Sequence, residues 1–177
     1  MKKYLLGILS ILLIITITGC GNSLFKEKEA NVKIGAIKLY VPEELKYSPE
    51  LRGLIYTESE RKLFIKGDAY DRSEAIIVDI TLNPSTMAFS DYVETLNKKL
   101  GDNDVKYVRC SIGKMPAFKR EKYTVTNTSG IELYYSNYLI YENNITHQII
   151  ITGPKKMQKE LDIMMDDIVN SIKMANQ

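Results

Sequence analysis

The stretch from residue 106 to residue 152 constrains the fold most, because it reads as four strands joined by short turns. The expected strands cover residues 106–112, 118–125, 131–141 and 145–152. The connections are turn-like, as in the Asn-Thr-Ser-Gly sequence at 127–130. Consecutive strands joined by so few residues pair antiparallel. The chain is therefore predicted to contain a four-stranded antiparallel meander.

The residues before the meander predict shorter strands and one helix. Alternating apolar residues end at Pro42, and the apolar run at 74–82 is typical of a central strand. The expected elements are a strand at 32–41, a hairpin from 54–57 and 63–65, the central strand at 74–82, and a helix at 90–100. Ser90 is the expected N-cap of that helix, and Gly101 follows as its C-terminal stop.

A second helix is predicted after the meander, from Pro154 to about Met174. Apolar residues recur along it at helical spacing. They are Met157, Leu161, Met164, Met165, Ile168, Val169 and Ile172. We therefore expect an α+β fold, an antiparallel β-sheet with helices packed on its faces.

The N-terminus has the features of a secretory signal. Lys2 and Lys3 precede an apolar run from residue 5 to residue 17, and small residues follow. The run is shorter than the roughly 20 apolar residues that a membrane-spanning helix needs. A cleaved signal is therefore favoured over an uncleaved anchor.

The sequence Ile17-Thr18-Gly19-Cys20 resembles the lipobox of bacterial lipoproteins. The resemblance implies a diacylglyceryl group on the Cys20 thiol and cleavage before that residue. It predicts a signal peptide at 1–19, a lipidated cysteine with a flexible tether at 20–31, and a single domain at 32–177. The expected location is the cell membrane, with the domain on the extracytoplasmic face. The alternative is an ordinary signal peptide with an incidental cysteine.

Charge and cysteine content exclude two classes of protein. The chain has 24 Lys and Arg against 22 Asp and Glu, and two of the lysines lie in the signal. The remaining neutral chain gives no electrostatic reason to bind nucleic acid. With Cys20 lipidated, Cys110 has no intramolecular partner, so no disulfide framework is expected. A packed, unreactive Cys110 is the expected state.

A search for catalytic or metal-binding residues finds no constellation. His147 is the single histidine, and we expect it half-buried with a satisfied hydrogen bond. His147 with Cys110 makes too few ligands for zinc. The carboxylates of the last helix, Glu160, Asp162, Asp166 and Asp167, diverge and lack the glycine of a calcium loop. We expect no metal, no cofactor and no enzymatic activity.

Tyrosines crowd the expected strand at 131–141. By alternation Tyr135 and Tyr141 fall on the face of the strand that is expected to be core. Tyr134, Tyr138 and Ile140 fall on the other face. They are core if a helix covers that face, and a partner-binding patch if it is open.

The order of elements resembles the Mog1/PsbP-like family over residues 32 to 175. The similar features are Val41-Pro42 near the start and a strand, glycine turn and helix at the end, here Ile151-Thr152-Gly153-Pro154 and Ser171-Ile172. The resemblance implies an αβα sandwich and a non-enzymatic binding or assembly role. The chain lacks tryptophan, which is common after the early proline in that family.

Two functions follow from these expectations. The leading hypothesis is a membrane-anchored extracytoplasmic lipoprotein that acts as a non-enzymatic binding or assembly module for an envelope protein partner. The alternative is a carrier or sensor of a lipid or another apolar ligand. That carrier would use a hollow under the last helix, lined by Met157, Met164 and Met165.

Overall fold

A computed structural model describes residues 29–49, 60–68, 70–84, 87–102 and 104–176. In chain order the elements are β1 (Val32–Ile34), β2 (Ile37–Leu39), β3 (Lys46–Tyr47), β4 (Arg61–Lys66), β5 (Ile76–Pro84), α1 (Phe89–Lys99), β6 (Val108–Ile112), β7 (Met115–Thr126), β8 (Glu132–Glu142), β9 (Ile145–Pro154), α2 (Gln158–Asn170) and β10 (Lys173–Met174). The predicted signal, Cys20 and the strand predicted at 54–57 lie outside the described residues.

Seven strands form one antiparallel sheet in the order β3-β4-β5-β9-β8-β7-β6. The predicted meander is confirmed, since β6 to β9 follow one another and pair as neighbours. Its turns use left-handed backbone. Asn143 (φ 51°) and Asn144 (φ 61°) join β8 to β9, and Gly113 (φ 57°) joins β6 to β7. Such two-residue turns match the twist of the strands they connect.

The first strands of the described part, β1 and β2, meet its last strand in a small second sheet, ordered β1-β2-β10. The single strand predicted at 32–41 is instead a hairpin, because Gly35 adopts φ 55° and reverses the chain. The predicted last helix ends early, at Asn170. Ser171 Oγ donates to the Ile168 carbonyl at 2.6 Å and accepts from the Tyr40 N–H at 2.8 Å, and the chain then pairs with β2.

Helix α1 also begins differently from the prediction. Its N-cap is Ala88, and no side chain caps it. The helix begins at Phe89, so Ser90 lies inside it. The Ser90 hydroxyl donates to Asp91 Oδ1 at 3.3 Å. Leu100, in extended conformation, ends the helix before Gly101.

The sheet has two unlike faces. Helix α2 covers the core face, where Leu161, Met164, Met165 and Ile168 pack against β5, β7, β8 and β9. The core-face residues of these strands include Val78, Ile80, Ala117, Tyr138, Ile140, Ile149 and Ile151. Helix α1 packs on the opposite face, here called the groove face, where Val93 meets Tyr107 and Leu139. The predicted α+β fold with helices on both sheet faces is confirmed.

Candidate binding groove

The groove face carries polar side chains on strands in the middle of the sheet. Residues alternate between faces, and the register places the polar positions of β5, β8 and β9 together. They are Asp79, Thr81, Asn83, Asn137, Thr146, Gln148 and Thr152. Central strands covered on both sides are normally apolar. The polar side chains at these central positions therefore need a structural or functional explanation.

An open groove of about 580 Å³ lies on this face. Its lining combines apolar, aromatic and charged side chains. They are Arg61, Leu63, Tyr70, Arg72, Ile77, Asp79, Tyr135, Ile150 and Thr152. Ligand sites in proteins have volumes of roughly 300–1,000 Å³ and a similar mixture of apolar walls and few polar groups.

An ion pair lies in the groove wall. Arg61 on β4 donates to Asp79 on β5 through Nε to Oδ1 at 3.0 Å and Nη2 to Oδ2 at 2.7 Å. Thr81 Oγ1 donates to Asp79 Oδ1 at 3.2 Å. Only about a fifth of each charged side chain is exposed, 21% for Arg61 and 20% for Asp79. This bidentate geometry fixes both groups and gives the groove a donor beside an acceptor.

A stack of planar groups forms another wall. The rings of Tyr123 and Tyr135 are 5.2 Å apart and 12° from parallel, and the Arg120 guanidinium lies 3.8 Å from the Tyr123 ring centre. Arg120 Nε donates to the Val105 carbonyl at 2.7 Å, which holds the stack. A bulge at Lys122 (φ 59°) shifts the register of β7 and places Tyr123 opposite Tyr135.

Several buried polar atoms on the groove face lack hydrogen-bond partners in the described part of the chain. These atoms are Asn83 Nδ2, Asn137 Oδ1, Thr146 Oγ1 and Thr152 Oγ1. Buried polar groups are normally paired, so each unpaired one points to water or a ligand. Thr152 is the member of this set that lines the groove.

Helix α1 closes the rest of the groove face. The Asn97 side chain donates to the Tyr107 carbonyl at 3.1 Å and accepts from the Tyr107 N–H at 2.8 Å. The Tyr107 hydroxyl accepts from Asn137 Nδ2 at 2.6 Å beneath the helix. Burial raises the pKa of Tyr107 to about 12, with the neighbouring Tyr123 as a second cause. This phenol is therefore a neutral structural group.

The predicted partner-binding patch is wrong. Tyr134, Tyr138 and Ile140 are only 2%, 6% and 0% exposed, because α2 covers their face of the sheet. The Tyr134 hydroxyl donates to Asp162 at 2.5 Å, and the Tyr138 hydroxyl donates to Glu121. Burial raises the pKa of both phenols, and these carboxylates raise it further.

The tyrosines predicted to be core, Tyr135 and Tyr141, are the partly exposed ones. Tyr141 stacks on Phe89 of α1, with ring centres 5.0 Å apart, and Tyr135 lines the groove. The predicted alternation along β8 is confirmed, but the tyrosines predicted to be core and those predicted to be open have exchanged places. Sequence alone did not show that the longer apolar stripe of α2 belongs on the tyrosine face.

His147 lies on the core face of the sheet, next to the β1–β2 turn. It is fully buried, not half-buried, and its Nε2 accepts from the Ala36 N–H in the β1–β2 turn at 3.3 Å. Nδ1 has no hydrogen-bond partner among the described residues. Burial lowers the pKa of His147, and the carbonyls of Ile140 and Ile145 oppose this in part. The imidazole is a neutral acceptor that holds the hairpin.

Cys110 and the methionines are packing residues. Cys110 is half-buried on β6, and burial raises the pKa of its thiol, which disfavours the reactive thiolate. Met164 and Met165 are buried in the core, and Met157 packs against it. The depression that Met164 borders has a volume of about 100 Å³, too small for a lipid. The methionines predicted to line a carrier's hollow are thus packing residues in the described part of the chain.

Within the described residues no three His, Cys, Asp or Glu side chains come together as metal ligands. Among the helices of the same residues, none combines the length and the apolar character that a membrane crossing requires.

Sequence reasoning missed the groove residues, although one signal was present. Asp79 interrupts the apolar run at 76–80, and a carboxylate in a central strand needs a partner or a ligand. Arg61 lies between the two strands of the predicted hairpin, and the structure makes it the first residue of β4. The Tyr123–Tyr135 stack depends on the bulge at Lys122, which no sequence pattern indicated.

Comparison with protein-family models and with curated protein sequences found no match. Solved structures are similar in fold. LpqN of Mycobacterium tuberculosis, described as involved in cell envelope biogenesis, matches with a TM-score of 0.58 and 11% identity over 78% of this chain and 82% of that one.

Mog1p of Saccharomyces cerevisiae, a Ran-binding protein, matches with a TM-score of 0.44 and 13% identity, over 79% of this chain and 90% of that one. PsbP of Synechocystis sp. PCC 6803 matches with a TM-score of 0.46 and 12% identity, over 83% and 97%. The likeness to LpqN is one of fold.

Proposed function

We propose that this chain is a non-enzymatic binding module, held on the extracytoplasmic face of the cell membrane by a lipid on Cys20. The observation that carries the proposal is the groove on the groove face. The ion pair and the aromatic stack form its walls, and the buried Thr152 hydroxyl in its lining has no hydrogen-bond partner among the described residues.

The lining of the groove favours binding over catalysis. Nucleophilic or acid–base catalysis needs a nucleophile and a base within hydrogen-bond reach of each other. Asp79, the carboxylate of the groove, is bound by two donors of Arg61. His147 lies on the opposite face of the sheet under the β1–β2 turn.

The anchor is supported by the lipobox resemblance. Asn31, assigned above to the tether, exchanges two hydrogen bonds of 2.8 Å with the Val41 backbone. Ten residues separate Cys20 from Asn31 in the sequence, and a stretch of that length spans at most about 35 Å. The groove is then held close to the membrane surface. An envelope location is in keeping with the fold similarity to LpqN.

A second candidate function is docking of an envelope protein partner at the sheet edge. Strand β6 ends the large sheet, Val108 on it is exposed, and Val105 just before it is exposed as well. Unpaired backbone groups at such an edge accept an added strand from another protein. A Val108→Lys substitution tests this edge without touching the groove.

Co-purification tests the groove. The lipidated chain is cross-linked in intact cells and purified, and bound proteins and small molecules are identified by mass spectrometry. We expect a species that is lost in Tyr135→Ala and kept in the matched variant Tyr141→Ala, which alters the same strand and face outside the groove. A species that depends on Val108 alone favours the sheet edge. Equal yields from all variants would contradict both sites.

The anchor has its own test. Cys20→Ala should abolish incorporation of a lipid label and release the protein from the membrane fraction. An unchanged lipid label in this variant would contradict the proposed lipid anchor on Cys20. It would not bear on the proposed binding at the groove.

A further inference from the structure

A row of side chains crosses the groove face from β7 to β5. Tyr123 pairs with Tyr135, Tyr135 with Thr152, and Thr152 with Ile77. The two tyrosine rings are separated by 5.2 Å, close to the spacing of neighbouring strands, and are nearly parallel. The rings therefore stand upright on the sheet, and their flat faces point along the row.

This stack starts with a cation and stops at a small residue. Arg120 covers the outer face of Tyr123, and Tyr123 covers one face of Tyr135. The next position in the row is Thr152, whose side chain is too short to cover the other face of Tyr135. Tyr135 and Thr152 both line the groove, so this face of the Tyr135 ring borders it.

The groups around this free ring face are polar. Thr152 Oγ1 is buried without a hydrogen-bond partner in the described part of the chain. The Arg61–Asp79 pair supplies a donor beside an acceptor. The exposed Arg72 guanidinium stands at the rim and makes no ion pair with the described residues.

These features describe a ligand with one flat apolar face and hydrogen-bonding groups around its edge. A pyranose has this shape: its C–H groups contact an aromatic face, and its hydroxyls both donate and accept. Among the described lining residues Arg61 and Asp79 neutralise each other, which leaves the Arg72 guanidinium as the excess charge, so a negative substituent is favoured. A guanidinium binds a carboxylate through two parallel hydrogen bonds.

We propose that the groove binds an acidic sugar residue of an envelope glycan, with the sugar ring stacked on Tyr135 and its acidic group on Arg72. The inference rests on the proposed binding function and names its ligand class. The Arg61–Asp79 pair then borders the ring hydroxyls, and the Thr152 hydroxyl gains a partner that the described residues do not provide.

The test uses the lipidated full chain in detergent micelles and two probes, N-acetylmuramic acid and N-acetylglucosamine. They share the ring and differ by the lactyl group that carries a carboxylate. Saturation-transfer NMR reports which sugar protons touch the protein. We expect ring-proton signals from N-acetylmuramic acid and at least about tenfold weaker binding of N-acetylglucosamine, as the loss of one charge-assisted contact predicts.

Two variants locate the site. Arg72→Gln, at an exposed position that does not threaten folding, should abolish the preference for the acidic sugar. Tyr135→Leu should abolish ring-proton transfer, and Tyr141→Ala should change neither. Equal binding of both probes, or no binding of either by the folded protein, would overturn the proposal. If the sugars fail while another molecule co-purifies in a Tyr135-dependent way, the groove function stands and only the ligand class is wrong.

Discussion

The two faces of the large sheet differ in what covers them and in what they expose. On β9 the neighbouring residues Ile149 and Ile150 point to opposite sides: Ile149 is fully buried under α2, and Ile150 lines the groove. The core face is filled by aliphatic residues and two tyrosines. The groove face keeps an ion pair and unpaired polar atoms in the middle of the sheet. The contrast is the basis on which we attribute stability to the first face and the proposed binding to the second.

Polar groups occur on both faces but are used differently. On the core face the Tyr134 hydroxyl donates to Asp162 on α2, and the Tyr138 hydroxyl donates to Glu121 on β7. Both hydroxyls are satisfied within the protein, and His147 Nδ1 is the buried polar atom of this face that has no partner among the described residues. On the groove face Thr152 and Asn137 keep unpaired oxygens in the described part of the chain. A buried polar atom left unpaired costs about 1–3 kcal/mol, a cost that a bound ligand can relieve.

The largest effect is expected from truncating adjacent residues of β9. Ile149→Ala should lower the free energy of unfolding by about 2–5 kcal/mol, because it opens a cavity in the filled core. Ile150→Ala should cost less than about 1.5 kcal/mol, because its side chain borders open space. Urea unfolding of both variants measures the difference. Equal losses would show that the two faces are packed alike and would break the comparison.

A smaller effect is expected from the ion pair of the groove face. A double-mutant cycle with Arg61→Ala and Asp79→Ala should give a coupling free energy of about 1–2 kcal/mol, since the pair is bidentate and four-fifths buried. The exposed pair Lys155–Glu132, at 3.0 Å, is the control and should give a coupling near zero. A coupling free energy at Arg61–Asp79 no larger than that of the control pair would contradict the claim that this ion pair fixes the groove wall.

The smallest effect concerns His147 on the core face. Its pKa in the folded state lies below the ordinary value of about 6.5. As the pH falls below about 6.5 the unfolded chain therefore binds a proton first, and the folded state loses stability. The melting temperature should drop between pH 7.5 and pH 6, and this drop should be smaller in His147→Gln. Parallel curves for the two proteins would mean that the imidazole is not held neutral by the fold.

The sequence predicted the part of the fold that rests on local patterns. Alternation and turn residues located the meander, and helical spacing located both helices. It did not predict the elements whose formation depends on long-range contacts. Gly35 folds the expected first strand into a hairpin, and β10 forms because β2 offers it a partner. The groove depends on a bulge at Lys122 and on helix α1 covering only part of the groove face. No local sequence pattern predicts either feature.

Photo-crosslinking in intact cells compares the faces most directly. A photoreactive benzoylphenylalanine replaces either Tyr70, 87% exposed at the rim of the groove, or Ile163, 63% exposed on the outer side of α2. The account predicts crosslinked envelope material from position 70 and little from position 163. Crosslinks from position 163 alone would place binding on the helix that covers the core face and would contradict the account.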